Sequence, residues 1–273
     1  MAVVHVSNWN DFKAAITGEA NTVILDNDID ANGDIINDRI NVCALEIDGQ
    51  GHTIYNYTST HTGSDFWLDF YYNNQYITCA VKNINFYNII IAGETGSEAM
   101  FRANNGKFII TNCKMQGISN KALMRNCQMR QCSCNFSKLK YIGGYSSDNS
   151  IEECWFNVGS VTLSSDEIYY RGNIAYSYFT GIIDTKSLFN REIFNSRCTS
   201  SIFNFELTDS SNETKNIYLC SGGASNICLY NVDKLSFPAN VTFSVQNNFT
   251  GLSDASLKSS EAVNATGFTP FAM

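Results

Sequence analysis

The sequence predicts an all-β fold, a single parallel β-helix in which short strands stack in successive turns of a solenoid. A four-residue pattern recurs, made of Asn, an apolar residue or Cys, a variable residue and an apolar residue. Its apolar positions alternate with a period of two, which is typical of strands. From Glu153 onward the copies are roughly 20–24 residues apart when a degenerate copy near Ala175 is included, and this is the length of one solenoid turn. The copies begin at Asn112, Asn126, Glu153, Asn195, Asn216 and Asn240.

The alternation also predicts which side chains enter the core. The second and fourth positions of each copy should point inward, and the third position, such as Lys114 or Gln128, should point outward. The chain has two prolines, which agrees with strands that donate hydrogen bonds on both sides. We expect roughly ten coils, each rising about 4.8 Å. The predicted inward residues are Cys113, Met115, Cys127, Met129, Cys154, Phe156, Ile217, Leu219, Val241 and Phe243.

Composition excludes several classes of partner. A formal net charge of −8 argues against nucleic acid. No run of 18 apolar residues exists, which argues against membrane insertion. The start of the chain lacks the pattern of an export signal, so we expect its ten cysteines to be reduced. Their spacing forms no zinc motif, and no metal or other cofactor is predicted.

The first 20 residues predict a capping helix. Ser7 is a suitable N-cap, and Gly18 is a suitable end. Such a helix can cover the open end of a β-helix, which would otherwise pair with other chains. The predicted β-helix then occupies residues 21–249, beginning with the strand Thr22–Leu25. The apolar residues at helical spacing are Trp9, Phe12, Ala15 and Ile16.

An acidic stretch follows this first strand and has some features of a calcium loop. Asp28, Asp30 and Asn32 supply oxygen ligands at alternating positions. However, the twelfth position of such a loop is Arg39 instead of Glu. The alternative is a strand Leu25–Asp30 with outward acidic residues, followed by a turn. The sequence favours this alternative over a metal site.

The opening coils resemble those of the pectate-lyase-like right-handed β-helix superfamily. The features that carry the resemblance are the amphipathic helix, the strand Thr22–Leu25 and the segment Asp48-Gly49-Gln50-Gly51-His52-Thr53-Ile54. The short coils bearing Asn and Cys also resemble β-helical virion proteins of tailed bacteriophages. The resemblance extends from about Ser7 to Phe249 and implies a right-handed helix. The superfamily includes lyases, hydrolases, adhesins and capsid proteins, so the resemblance leaves the function open.

The sequence predicts no catalytic residue. The Gly-His-Gly and Asp-Asp motifs of polygalacturonase-like hydrolases are absent, and so is the Trp-x-Asp-His signature of pectate lyases. The adjacent acidic pairs, Asp166-Glu167 and Glu152-Glu153, would point to opposite faces of a strand. Carboxylate pairs on neighbouring coils leave no linear motif. A polysaccharide-degrading enzyme therefore remains an alternative.

Two aromatic segments are candidates for glycan or receptor binding. Sugars stack on aromatic rings and are oriented by amides and carboxylates. The alternative is that these rings pack under a loop. The candidates in the first segment are Trp67, Asp69, Tyr71 and Tyr72, and those in the second are Tyr169 and Tyr170.

Residues 250–273 leave the coil pattern and predict a short helix capped by Ser253, followed by a tail. The helix and tail could cover the last coil or contact another subunit. The candidate contact residues are Leu257, Phe268, Phe271 and Met273.

The hypothesis favoured by the sequence is a non-enzymatic virion protein, either a capsid decoration or head fibre or a tail adhesin. It would be assembled in the host cytoplasm and located on the virion. Its expected partners are other virion proteins, further copies of itself (for example in a homotrimer) and a surface glycan. A bacterial surface adhesin is a further alternative.

Overall fold

The chain folds as a solenoid of parallel strands with one N-terminal helix, which confirms the predicted fold class. The structure is a computed structural model that describes residues 2–36, 40–60, 68–70, 77–92, 99–103, 106–143, 148–163, 169–186, 188, 191–222 and 228–257. Within these ranges, no helix is long and apolar enough to cross a membrane.

Most of the strands are short. In chain order the first half contains β1 Val3–Val6, α1 Trp9–Thr17, β2 Thr22–Leu25, β3 Ile29–Asp30, β4 Ile35–Ile36, β5 Ile40–Asn41, β6 Glu46–Asp48, β7 Thr53–Tyr55, β8 Thr58–Ser59, β9 Leu68–Phe70, β10 Ile77–Lys82, β11 Asn85–Ile91, β12 Ala99–Ala103, β13 Gly106–Thr111 and β14 Lys114–Ser119. The second half contains β15 Ala122–Arg125, β16 Cys127–Arg130, β17 Ser133–Lys138, β18 Ser150–Glu152, β19 Trp155–Thr162, β20 Tyr170–Ala175, β21 Tyr178–Asp184, β22 Arg191–Thr199, β23 Ile202–Thr208, β24 Lys215–Cys220, β25 Cys228–Asn231, β26 Leu235–Ser236, β27 Val241–Ser244, β28 Phe249–Leu252 and α2 Asp254–Leu257.

The strands form three sheets that run along the solenoid. Sheet A has eleven strands in the order β1-β2-β6-β10-β13-β16-β18-β20-β22-β24-β27. Sheet B has thirteen strands, with the main order β28-β25-β23-β21-β19-β17-β14-β11-β7-β3. Sheet C has four strands in the order β15-β12-β9-β5. The eleven strands of sheet A agree with the prediction of about ten coils.

The predicted register is confirmed. Nine of the ten predicted inward residues are buried, and Phe243 is half-buried and packs against the same core. The Lys114 side chain is exposed, and that of Gln128 is half-exposed. The two-residue alternation therefore separates the interior of the solenoid from its surface.

The corner between sheets A and B is built by a stack of residues with left-handed backbone. Asn112 has a φ of 52°, and its N–H donates to the carbonyl of Arg130 on the next coil at 3.0 Å. Asn is one of the few side chains that adopts this conformation readily. The stacked residues are Asn83, Asn112, Gln131, Glu153, Tyr176 and Ser200.

The residue directly after five of these stacked residues is Cys or Ser, and its side chain lies on the inside of the corner. The Sγ of Cys132 donates to the carbonyl of Arg130 at 3.1 Å, and the Oγ of Ser177 donates to that of Ala175 at 2.7 Å. Cys and Ser therefore make the same hydrogen bond at equivalent positions. We call these residues the corner ladder: Cys113, Cys132, Cys154, Ser177 and Ser201.

The copies of the sequence pattern belong to more than one corner, which corrects the predicted repeat. Asn112 and Glu153 lie at the corner between sheets A and B. By contrast, Asn126 immediately precedes β16 of sheet A, and Asn195 lies within β22 of the same sheet. These different positions share a local pattern because each has a polar residue followed by a buried one.

The N-terminal helix covers the core as predicted, with two corrections. The N-cap is Asn8 instead of Ser7, and its side chain accepts a hydrogen bond from the N–H of Asp11 at 3.0 Å. The strand β1 also precedes the helix and pairs in parallel with β2, so residues 1–20 contain the first strand of sheet A. The four predicted apolar residues, Trp9, Phe12, Ala15 and Ile16, are all buried.

The C-terminal helix α2 is short and packs on the chain itself. Ser253 caps it, since the Ser253 Oγ accepts from the N–H of Ser256 at 3.2 Å. Leu257 is buried against Ile202 and Leu229. Leu257 therefore covers the last coils within the same chain, contrary to its predicted role in an intermolecular contact. The other predicted contact residues, Phe268, Phe271 and Met273, lie outside the described residues.

Candidate functional site

The first predicted aromatic site lies largely outside the described residues, which exclude Trp67, Tyr71 and Tyr72. For Asp69 the structure describes the backbone, which lies in β9 and pairs with Arg102 of β12. The glycan-binding role of this segment stays a prediction.

The second predicted aromatic site is not on the surface. Tyr169 and Tyr170 both have an exposed fraction of 0%. The Tyr169 ring packs edge-on against Phe194 and Phe205, each with a centroid distance of 5.5 Å. Tyr170 opens β20 on the inward side, and Tyr169 turns inward at the bend before it. Because neither ring can stack on a sugar from solution, both were wrongly placed in a binding site.

The residue that follows these tyrosines, Arg171, does face outward. It contributes to a groove of about 530 Å³ on the outer face of sheet A. We call this groove the arginine groove, and it lies between β20 and β22. Its lining residues are Arg171, Gly172, Asn173, Asn195, Ser196, Arg197 and Gly222.

The arginines and asparagines alternate across the groove. Arg171 pairs in register with Asn195, and Asn173 pairs with Arg197. Neighbouring strands are about 4.8 Å apart, and residues two apart in a strand are separated by about 6.7 Å. The two arginines therefore occupy one diagonal of a small rectangle, and the two asparagines occupy the other.

The floor of the groove is made of residues with little or no side chain. A Cβ at Gly172, whose φ is 139°, would lie 2.2 Å from the carbonyl oxygen of Asn149. A Cβ at Gly222 would lie 2.1 Å from the carbonyl oxygen of Ser196. Any larger residue would force the backbone apart, so glycine both permits the coil packing and leaves the concavity open.

The electrostatics of the groove favour an anion. Within the described part of the chain, neither Arg171 nor Arg197 has a carboxylate partner. The amide of Asn195 is oriented by a 2.7 Å hydrogen bond from its Nδ2 to the Oε1 of Glu192. Guanidinium groups bind carboxylates and phosphates through paired N–H donors. The groove therefore presents two guanidinium groups beside amides, on a protein of net charge −8.

The acidic residues considered as a calcium site, Asp28, Asp30 and Asn32, take part in hydrogen bonds. The Oδ1 of Asp28 accepts a hydrogen bond from the N–H of Thr53 at 2.8 Å, on the next coil. The Oδ1 of Asp30 accepts from the N–H of Asn32 at 2.7 Å and from the Nδ2 of Asn56 at 3.1 Å. Among the described residues, no group of three or more His, Cys, Asp or Glu could hold a metal ion. These side chains join neighbouring coils.

Sequence reasoning missed the arginine groove because its two arginines, Arg171 and Arg197, are far apart in the chain. Their proximity depends on the length of one coil. The usable signal is the reversed order of Arg171-Gly172-Asn173 and Asn195-Ser196-Arg197. It becomes meaningful once the register of sheet A is known.

The fold and this surface define the class of the protein, a parallel β-helix with a polar recognition groove on its outer face. Residues 3–124 match the model of a family described as a pectate lyase-like adhesive domain. This match and the parallel sheets fit a β-helix superfamily and indicate an adhesin-like β-helical protein. The arginine groove lies beyond the matched residues. No curated protein matches the chain.

Proposed function

We propose that this protein is a non-enzymatic adhesive β-helix that attaches to an acidic surface glycan. The arginine groove carries this proposal, because it offers two guanidinium groups without carboxylate partners in the described chain. The similarity of residues 3–124 to an adhesive domain supports it. A uronic acid carboxylate or a sugar phosphate is the acidic group that suits this arrangement.

We further propose that the protein is carried on a bacteriophage particle, as a capsid decoration, a head fibre or a tail adhesin. All ten cysteines are free, and nine of them are buried. A chain with many free thiols is suited to folding in a reducing cytoplasm. An adhesive protein that folds there reaches the outside when the cell lyses, as virion proteins do.

The groove is tested by affinity electrophoresis in native gels that contain polygalacturonate. We expect the wild-type protein to be retarded and the Arg171→Ala/Arg197→Ala double variant to lose at least about tenfold in affinity. Arg130→Ala is the matched control, since Arg130 lies on sheet A but is paired with Glu152 at 2.9 Å. Equal retardation of the double variant and the wild type would contradict the proposal.

The location is tested by immunogold electron microscopy with antibodies against the purified protein. Labelling of phage particles in a lysate supports the virion role. Labelling of intact bacterial cells supports the alternative, a bacterial surface adhesin, which the adhesive-domain match also favours.

The enzymatic alternative predicts new reducing ends or unsaturated products from the same polygalacturonate. Cleavage that disappears when an exposed carboxylate is changed to an amide would replace the adhesive role with a degrading one.

A further inference from the structure

The outer face of sheet B carries a second set of recognition side chains, away from the arginine groove. One residue per coil points outward at equivalent positions and forms a column along the solenoid. The column begins with two tyrosines, Tyr55 and Tyr87. Beyond a bulge after Phe86 its members on the later coils are amides and one hydroxyl. We call it the amide column, and its members are Tyr55, Tyr87, Gln116, Asn135, Asn157 and Thr180.

A second column lies beside it, two residues earlier in each strand. Its pairing runs through five consecutive strand pairs of sheet B. We call it the flanking column, and its members are Thr53, Asn85, Lys114, Ser133, Trp155 and Tyr178.

Aromatic rings occur at two places on this face. Tyr55 and Tyr87 lie opposite each other at the N-terminal end, and Tyr87 has an exposed fraction of 53%. Trp155 and Tyr178 lie opposite each other three coils further on, and both are half-exposed. At one coil rise per step the two ring pairs are about 14 Å apart along the axis. The Tyr178 ring packs beside the cluster of Ile202, Leu229 and Leu257, and its hydroxyl accepts from the Nδ2 of Asn204 at 2.6 Å. The outer rings of the two pairs, Tyr87 and Trp155, present apolar surface on which a sugar can stack.

Amides occupy the space between the ring pairs. The Nδ2 of Asn157 donates to the Oδ1 of Asn135 at 3.0 Å. This bond orients both amides and leaves each with further donor and acceptor capacity toward solvent. The side chains of Gln116 and Asn135 are exposed. Sugar hydroxyls both donate and accept hydrogen bonds, as these amides do.

The charge of the face selects the kind of sugar. Lys114 is the one charged member of the two columns, and the exposed Asp30 of β3 pairs with Tyr55 just beyond their N-terminal end. An acidic ligand would find a single cation here, whereas the arginine groove offers two. The coil rise is also close to the length of one pyranose unit, so a linear chain could place successive sugars over successive coils.

From these observations we infer that the amide and flanking columns form a second carbohydrate-binding surface, which takes a linear polysaccharide of uncharged sugars. The ring pairs stack on sugars at the two ends of the bound polysaccharide segment. The amides between the ring pairs bind the hydroxyl groups of the sugars between those ends. This inference does not depend on the arginine groove, because the two surfaces lie on different sheets.

The inference is tested by affinity electrophoresis of the full chain in native gels containing dextran, laminarin or galactomannan. We expect retardation in at least one of these neutral polysaccharides. Trp155→Ala and Tyr87→Ala should each weaken that binding at least about tenfold. Trp155→Phe, which keeps an aromatic ring, should retain most of it, and Arg171→Ala/Arg197→Ala should leave it unchanged.

Tyr218→Ala is the matched control, since Tyr218 lies on sheet A with an exposed fraction of 39%. Melting curves of every variant show whether the fold is retained. Absence of retardation in all three neutral gels overturns the inference, and so does equal retardation of Trp155→Ala, Tyr87→Ala and the wild type. A change of oligomeric state in these variants without any sugar binding also overturns it, because the face is then a contact between copies of the chain.

Discussion

At the scale of single residues, the corner ladder accounts for three of the ten free cysteines, Cys113, Cys132 and Cys154. A thiol at the inner corner fills a small apolar space and still donates to a backbone carbonyl, as at Cys154, whose Sγ lies 3.2 Å from the carbonyl oxygen of Glu152. Two coils later Ser201 makes the same bond with its hydroxyl at 2.8 Å. These three cysteines are therefore packing residues of the corner.

Burial predicts that the native thiols react at very different rates. Desolvation raises the pKa of the Cys134 and Cys154 thiols well above the ordinary value, so little thiolate is present at neutral pH. Cys43 is the exposed cysteine. We expect a thiol reagent at pH 8 to modify one cysteine rapidly in the native protein and ten after denaturation. Cys43→Ser should abolish the rapid phase, and rapid modification of several thiols would contradict the structure.

At the scale of elements, one buried ion pair joins the turn after β23 to the strand β24. The Lys215 Nζ lies 2.6 Å from the Oδ2 of Asp209, and both side chains have 0% exposure. The same ammonium group donates to the carbonyls of Thr185 and Lys186 at 2.9 and 2.8 Å. All three ammonium protons therefore have acceptors, which is the condition under which a buried charge is tolerated.

Asp209 is satisfied in the same way. Burial alone would raise the pKa of its carboxyl, but hydrogen bonds from Lys215, Ser211 and Thr185 outweigh that effect and hold the pKa below its ordinary value. A lowered pKa in the folded state means that the carboxylate stabilises the fold above its ordinary pKa. This contribution is lost as the pH falls through the lowered value.

Removing one partner of this pair should be costly. We expect Lys215→Met to lower the free energy of unfolding by about 3–5 kcal/mol, because it leaves the Asp209 charge buried and unpaired. The matched control is Arg130→Met, since the Arg130 side chain is 58% exposed and pairs with the exposed Glu152 at 2.9 Å. It should cost about 1 kcal/mol or less. Urea unfolding at pH 7 measures both, and equal effects would show that burial of the pair is unimportant.

The elements also show how far the sequence could predict this fold. Period-two alternation located the inward residues because each face of a strand has one environment, and Cys113 and Met129 are buried as expected. The aromatic composition was a poor guide at Tyr169 and Tyr170, since both rings are buried in the core. The strand β1 was missed because a four-residue segment before a helix has no turn signal. The arginine groove could not be predicted, because it requires the register between two coils.

At the scale of the whole molecule, the solenoid places two chemically different surfaces on two sheets. The arginine groove on sheet A is cationic, and the face of sheet B is largely neutral, with rings and amides. A rigid stack of coils keeps these surfaces at a fixed separation without a linker. If both proposals hold, one rod would bind acidic and neutral sugars, which suits an adhesive role on a glycan layer of mixed composition.

The two ends of the rod need protection, because an open coil exposes unpaired backbone groups. At the N-terminal end, α1 packs on β1, β2 and β5. At the C-terminal end, β28 pairs with β25, and Leu257 of α2 covers Ile202 and Leu229. The N-terminal end is therefore covered by a helix, whereas α2 covers outward side chains of sheet B near the C-terminal end.

Two truncations separate closure of the last coil from assembly on a particle. A chain that ends at Leu257 keeps β28 and α2, so we expect it to remain folded and monodisperse, with an unchanged melting temperature. A chain that ends at Phe249 loses α2 and most of β28. Its exposed apolar surface and unpaired β25 edge should lower the melting temperature and cause aggregation, which light scattering detects. The loss of Leu257 packing alone should cost about 2–4 kcal/mol.

If the chain ending at Leu257 is folded but no longer binds to particles, residues 258–273 form the docking segment. If it aggregates like the shorter chain, those residues are needed for closure, and α2 is not a sufficient cap.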